Sequence, residues 1–249
     1  MRTIASIEAR MTSSRLPGKV LMDIAGKPML RHVIERTQRA RSVEGVVVAT
    51  TTNADDEPIV ELATSLGARV FRGSEDDVLG RVSAAVGAAR ADTVVKVTGD
   101  MPLIDPGLID AEVAFFREGG YDYVSEIAMK NTPRWEAVAT FPLGFGAEIV
   151  TARALAAAAA GTDDAEDREH VSRFIINRPE RFRLGAFEAS GPWAGARRPD
   201  IRLAVNTPED LRAVRTIVQA LAGERPEFTV LDVVGLLERR PEILEMNDR

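Results

Sequence analysis

Ile4-Ala5-Ser6-Ile7-Glu8-Ala9-Arg10-Met11-Thr12-Ser13-Ser14-Arg15-Leu16-Pro17-Gly18-Lys19 runs from a short apolar segment into a cationic loop. Residues 4–7 are too few to separate strand from helix by periodicity. The polar loop that follows, with its Pro17-Gly18 turn, favours a strand. Arg10, Arg15 and Lys19 are obligate cations, and Thr12, Ser13 and Ser14 add hydroxyl donors. Such a loop at the end of a first strand can wrap a polyanion with charge, hydroxyls and backbone N–H groups. We read it as a triphosphate-binding loop. A solvated basic turn is the alternative that composition alone leaves open.

Working outward, residues 20–28 form a connector, and Pro28 opens a helix with Leu30, Val33, Ile34 and Thr37 inward and Arg31, Glu35, Arg36 and Arg39 toward water. Residues 45–50 are a continuous apolar run, as in a parallel strand covered on both faces. Asn53 is expected to cap a helix that Gly67 ends. Further strands are expected at 69–71, 93–97 and 121–124, with helices from Ser74 to about Arg90 and from Pro106 through Phe116. Four strand–helix alternations predict βαβ units and a mostly parallel sheet. Ligands on such sheets sit at the carboxyl ends of the strands, where both the first loop and Asp100 fall.

From residue 127 to 149 the pattern changes, with a strand expected at 137–141 inside an antiparallel excursion or lid. Helices are expected at 151–160 and 165–177, and strands at 182–189 and 202–205. Thr207-Pro208-Glu209-Asp210 is a strong helix start, and Thr229 to Asp232 starts a last helix. The tail beyond Pro241 is expected to be peripheral. One domain, residues 1–249, with 127–150 and 182–200 as lid or dimerisation segments, is the simplest account.

Composition narrows the function classes. The 249 residues are 45% hydrophobic, enough for a full core, and carry a net charge of −6, which disfavours non-specific nucleic-acid binding. The absence of cysteine excludes disulfides and thiolate metal sites and suits a reducing cytoplasm. No apolar run reaches membrane-spanning length, and residues 1–5 lack the apolar segment of a signal peptide.

Two nucleotide templates fail. Gly18-Lys19 lacks the P-loop glycine, since position 13 is serine, and Val20 replaces the magnesium-binding hydroxyl residue. No Gly-x-Gly-x-x-Gly follows the first strand, which removes a dinucleotide site. Thr98-Gly99-Asp100-Met101-Pro102 places a carboxylate after a strand, a natural Mg²⁺ ligand. A turn or N-cap aspartate before Pro102 is the alternative.

Taken with 7–10 and 14–19, the stretches Val48-Ala49-Thr50-Thr51, Phe71-Arg72-Gly73-Ser74-Glu75-Asp76-Asp77-Val78-Leu79, Val97-Thr98-Gly99-Asp100, Arg168-Glu169-His170-Val171 and Thr207-Pro208-Glu209-Asp210-Leu211 resemble, in order, the CTP-dependent cytidylyltransferases that make CMP-activated sugars. These include the 3-deoxy-manno-octulosonate and acylneuraminate enzymes, and the spore-coat-polysaccharide branch is the nearest likeness. The resemblance implies an α/β, Rossmann-like, GT-A-related nucleotidyltransferase fold, a homodimer, CTP as donor and Mg²⁺ as cofactor. It also implies that Ala9, Arg10, Ser13, Ser14, Arg15 and Lys19 hold the triphosphate, with Arg10, Arg15 and Lys19 acting on the departing pyrophosphate. Asp100 would bind metal. Arg72, Ser74 and Thr98 would lie near cytidine, with ordinary loop hydrogen bonding as the alternative. Glu148 and His170 would meet the acceptor, with a His170 bond to a backbone carbonyl as the alternative.

Two departures stand out. The family usually has a metal-binding aspartate where this chain has Asn206, whose amide oxygen can coordinate without charge. An acidic stretch is replaced by Pro142-Leu143-Gly144-Phe145-Gly146-Ala147-Glu148, which predicts a more apolar acceptor pocket suited to a phosphonate or phosphorylated acceptor. Three other readings stay open: a different nucleotide donor, a glycosyltransferase (lacking here the second aspartate of Asp-x-Asp), and a catalytically impaired CTP-binding protein.

Overall fold

The computed structural model describes residues 1–126, 140–223 and 227–247. In chain order the strands and helices of the first half are β1 (Thr3–Glu8), β2 (Asp23–Ile24), β3 (Lys27–Pro28), α1 (Met29–Thr37), β4 (Val46–Thr51), α2 (Glu57–Ser65), β5 (Arg69–Gly73), α3 (Val78–Ala89), β6 (Thr93–Thr98) and α4 (Pro106–Gly119). Then come β7 (Tyr123–Ser125), β8 (Glu148–Thr151), α5 (Ala152–Gly161), α6 (Ala165–Glu169), α7 (Arg173–Ile176), β9 (Leu184–Ala186), α8 (Pro208–Ala222) and α9 (Val230–Arg239).

Among the described residues the main sheet has the order β5-β4-β1-β6-β8-β7-β9. β5, β4, β1 and β6 run parallel, and β8 lies antiparallel between β6 and β7. The chain leaves β1 toward β4 on one side and reaches β6 on the other. That reversal opens a crevice at the carboxyl ends of β1 and β6, the usual ligand position on such a sheet. Glu8 and Thr98 stand opposite each other at those ends.

Alternation along β1 decides what the crevice receives. Ala5 and Ile7 pack with α1 and α4, whereas Ile4 packs with α3 and α5. With period 2, Ser6 and Glu8 share the Ile4 face, so Glu8 ends up at the rim beside α3. Lys96 shares that face with Val94 for the same reason.

Several expectations are corrected. Arg36, expected in water, is 4% exposed: its Nε donates to Ile104 O at 2.7 Å and its Nη2 to Phe228 O at 2.8 Å, with Phe228 stacked beneath. The chain beyond α8 covers α1, which no local pattern foretells. Asn53 makes no cap; its amide goes to Glu75, and a 3-10 turn at Ala54–Asp56 precedes α2. Of the stretch 74–77 expected to start the helix, only the last residue does so: Asp77 caps α3 by accepting from Gly80 N, and the helix begins at Val78. The helix expected at 165–177 is two short ones, broken at His170.

The strand expected at 182–189 shrinks to β9, and 202–205 forms one bridge, between Leu143 and Arg202. Beyond Pro241 the chain is not peripheral: a 3-10 turn, Pro241–Asn247, packs on α8 and buries Ile243 completely. The strand expected at 137–141 lies largely outside the described residues. Both capping boxes form, at Thr207–Asp210 and at Thr229–Asp232.

Gly146 is a close approach rather than a flexible joint. A Cβ there would stand 2.3 Å from Glu126 Oε2 and 2.5 Å from Glu112 Oε1. Both carboxylates are enclosed, so neither can swing into solvent. Gly146→Ala is therefore expected to cost about 3 kcal/mol, at the upper end of overpacking. Urea unfolding of the two proteins checks it; an unchanged midpoint contradicts the packing described.

Candidate active site

The crevice is a cavity of about 630 Å³ between the first loop, the ends of β1 and β6, α3 and the α6–α7 region. Gly18 turns the loop with φ +71°, a left-handed conformation that glycine adopts without strain, and its N–H donates to Met11 O. Lys19 is thereby directed inward and is 8% exposed. Its Nζ donates to Asp100 Oδ2 at 2.6 Å, to Val205 O at 2.8 Å and to Asn206 Oδ1 at 3.2 Å. Arg15 Nη2 reaches the same Asn206 oxygen at 2.8 Å. Thr98 Oγ1 holds the other oxygen of Asp100 at 2.7 Å. Residues 81 and 187 positions away from Lys19 in sequence thus meet on one ammonium group.

Arg10 is engaged differently. Its Nη2 donates to Glu169 Oε1 at 3.0 Å and its Nη1 to Glu75 O at 3.3 Å. The loop is pinned further back by Asp56, which accepts from Met11 N and from the hydroxyls of Thr50 and Thr51. These bonds hold the Asp56 carboxyl below the usual range despite its burial.

A second cluster forms the floor. Lys96 Nζ donates to Glu148 Oε1 at 2.9 Å and stands 3.8 Å from Glu8 Oε1. Tyr123 and Ser172 hydroxyls donate to the other oxygen of Glu148. Burial works against ionisation of Glu148, but Lys96 and these hydroxyls outweigh it and keep its carboxyl below the usual range. The enclosed Oε1 of Glu8 has no hydroxyl partner. Burial pushes the Glu8 carboxyl up to about 7, opposed by Lys96 and Arg81. Burial also opposes charge on Lys96, yet Glu148 and Glu8 raise its affinity for a proton above normal.

Of the residues singled out in the sequence, Ala9, Arg10, Ser13, Ser14, Arg15, Lys19, Thr98, Asp100, Glu148, His170 and Asn206 all line this cavity. Arg72 and Ser74 are not among its walls. Arg72 donates to Thr51 O, Asn53 O and Glu57, tying down the β4–α2 turn, while the Ser74 carbonyl accepts from Arg81. His170 is mostly exposed, 3.8 Å from Glu166. The stretch 142–148 does not make the cavity apolar: Phe145 and Ala147 pack in the core, and Glu148 alone of that stretch reaches the cavity. The glycines there serve packing, Gly144 against the Leu203–Ala204 backbone and Gly146 against the two buried glutamates.

Reading for site chemistry missed Glu8, Arg81, Lys96 and Ser172, all of which line the cavity. Lys96 had a signal, a lone cation between Val95 and Val97 of a buried strand. Arg81 had another, since it falls on the inward stripe of α3 with Val78, Val82 and Ala85.

Comparison with known proteins agrees with this geometry. The sequence profile of the family described as cytidylyltransferase matches residues 4–220. The chain is 32% identical over 247 residues to the uncharacterised protein MJ1063 of Methanocaldococcus jannaschii, spanning 99% of this chain and 95% of that one. It is 31% identical over 242 residues to the spore coat polysaccharide biosynthesis protein SpsF of Bacillus subtilis, spanning 95% of this chain and 94% of that one. A solved cytidylyltransferase from Leptospira borgpetersenii superimposes with a TM-score of 0.89 at 27% identity, over 100% of this chain and 98% of that one. The cation-lined crevice at the β1–β6 reversal is that of a nucleotidyltransferase fold, and the chain belongs to the cytidylyltransferase family.

Proposed function

We propose that this chain transfers CMP from CTP to an acidic acceptor, releasing pyrophosphate, with Mg²⁺ as cofactor. The acceptor is a sugar acid, a phosphonate or a phosphorylated small molecule. The observation that carries the reading is the meeting of Lys19, Arg15, Asp100 and Asn206 at the carboxyl ends of β1 and β6. In such a reaction an acceptor oxygen attacks the α-phosphorus and the bond to the β-phosphate breaks. Lys19 and Arg15 are close enough together to share the charge that gathers on the pyrophosphate. Arg10 joins them once phosphate oxygens replace Glu169. Positioning and charge stabilisation of this kind are most of what phosphoryl transfer asks of a protein.

The donor set suits Mg²⁺. Asp100 Oδ2 and Asn206 Oδ1 both already face one cation, the Lys19 ammonium. Mg²⁺ takes one or two protein oxygens and completes its octahedron with water and phosphate. The described residues hold no cluster of three or more His, Cys, Asp or Glu that would make a closed all-protein site. Asp100 and Asn206 would hold the ion, which supplies charge neutralisation on the phosphate oxygens. Asn206→Asp restores a charged ligand. It is expected to lower the Mg²⁺ concentration giving half-maximal rate by about tenfold. A Mg²⁺ titration of both proteins decides; an unchanged midpoint removes Asn206 from the metal site.

At the acceptor end Glu148, Ser172 and His170 would orient the second substrate, with Arg173 nearby. A homodimer, with 127–150 and 182–200 as contact surface, and a cytoplasmic location belong to the same reading. Part of that surface already faces inward, since Phe141 stacks on Phe187 and meets Trp193 edge-on. Among the described residues no helix is long and apolar enough to cross a membrane. The test is pyrophosphate release from each of four nucleoside triphosphates with 3-deoxy-manno-octulosonate, N-acetylneuraminate and 2-aminoethylphosphonate. Release with CTP and one acceptor is expected. Tight CTP binding without release for any acceptor would favour a nucleotide-binding protein instead.

A further inference from the structure

Eight side chains of the described residues carry a buried polar atom without a hydrogen-bond partner: Ser6, Glu8, Thr37, Ser42, Arg81, Thr93, Glu112 and Glu126. Of these, Glu8 and Arg81 line the cavity and the other six do not. A buried polar group left unmatched is costly, and these two belong to side chains that line one cavity.

Their chemistry is complementary. Glu8 makes no side-chain hydrogen bond; its enclosed Oε1 stands 3.8 Å from Lys96 Nζ, and the side chain keeps 13% of its surface open. Arg81 is 4% exposed and spends only Nη1, on the carbonyls of Ser74 and Glu75. Its Nε is buried and unpartnered. Arg81 stands on α3, which packs against β1, and Glu8 is the foremost opposite charge acting on it. Among pyrimidines, cytosine alone offers an amino donor beside two acceptors, N3 and O2. A carboxylate accepting from the cytosine amino group is the standard match to that base.

Resting on the assignment of CTP as donor, we infer that Glu8 and Arg81 select the base: Glu8 accepts from the exocyclic amine, and Arg81 donates to the ring nitrogen and carbonyl beside it. Uracil puts a carbonyl oxygen against Glu8 and an N–H against Arg81, so both contacts become repulsive. A site built to meet polar groups rejects the ligand that mismatches them far better than an apolar slot can. The position also fits the rest of the site, because Ala9 and Arg10 of the triphosphate loop follow Glu8 directly.

Calorimetric titration of the intact protein with CTP and with UTP, in Mg²⁺, tests this. The wild type is expected to bind CTP about 10- to 100-fold tighter than UTP, the range that one good bidentate base contact provides. Glu8→Gln, nearly isosteric and able to present a donor to uracil, is expected to narrow the ratio to within about threefold. Glu8→Ala gives a second reading, with thermal melts confirming that both variants fold. If Glu8 only supports Lys96, both affinities fall together and the ratio stands, which overturns the assignment. Failure of the wild type to bind either nucleotide removes the CTP reading as well, whereas CTP preference surviving in both variants removes the base-selecting role alone.

Discussion

Lys19→Met lowers the rate of pyrophosphate release by about 10³-fold, the larger end of what one charge-stabilising donor contributes. The expectation rests on how Lys19 is held. It is 8% exposed, and three acceptors from two distant loops converge on its ammonium. In so enclosed a position its charge is poorly screened by water and counts for more than that of a surface lysine. Methionine keeps the length of the stem and removes the charge. Lys19→Arg is not expected to rescue, because a planar fork cannot reproduce three bonds from one compact ammonium in the same space. Arg15 shares only the Asn206 oxygen, so Arg15→Met is expected to be milder, about tenfold to a hundredfold. Steady-state rates at saturating CTP measure all three, and far-ultraviolet circular dichroism confirms the folds. A Lys19→Met enzyme within tenfold of wild type would contradict the role assigned to the ammonium.

A second large effect is expected in stability rather than rate. Glu112 and Glu126 each use one oxygen to accept from consecutive backbone groups, Ala147 N at 3.0 Å and Gly146 N at 3.1 Å. Their other oxygens are buried and unpartnered, and both close on the place that a Gly146 Cβ would take. Burial pushes Glu126 up to about 8, with Asp105 adding to the effect. Burial and the neighbouring Glu126 push Glu112 well above its ordinary value. The folded protein therefore holds protons that the unfolded chain releases above about pH 4.5. Stability from this source is complete below pH 4.5 and is lost as pH rises through 8. Glu8 acts with the same sign, but its share is exhausted near pH 7.

Glu126→Gln removes one titrating group while leaving an oxygen for Gly146 N. It is expected to raise the melting temperature at pH 8 and to change it little at pH 5. Each pKa unit amounts to about 1.4 kcal/mol, and each kcal/mol to about 2–4 °C in a chain of this length. A shift of equal size at both pH values would show that the pair shares no proton in the folded state.

The parallel half of the sheet was legible because its code is local. Residues 45–50 and 93–97 are apolar runs bounded by turns, and the capping boxes at Thr207 and Thr229 are set by four residues each. Where tertiary contacts outweigh local pattern, the reading failed. Arg36 lies on what looks like a wet helix face, yet the chain near Phe228 covers it. Residues 165–177 have helical composition throughout, but Ser172 leaves the helix to bond Glu148.

The candidate site divides in the same way. Its cations in the first loop stand close together in sequence and were found. Its floor was not, because Glu8, Lys96 and Glu148 lie on three strands and become neighbours only through the register of β1, β6 and β8. Of the two readings open for Arg72, a place near cytidine or ordinary loop hydrogen bonding, the structure has the second, since its guanidinium donates to the carbonyls of Thr51 and Asn53.

The central claim is that the α-phosphate of CTP leaves this crevice on an acceptor. The direct measurement supplies the protein with Mg²⁺, an acceptor acid and CTP labelled either at the α- or at the γ-phosphorus. The account predicts α-label in an acceptor-linked product, γ-label in pyrophosphate, equal amounts of both, and both formed about 10³-fold more slowly by Lys19→Met. Label from the γ-position appearing on the acceptor, or as free phosphate, would contradict it.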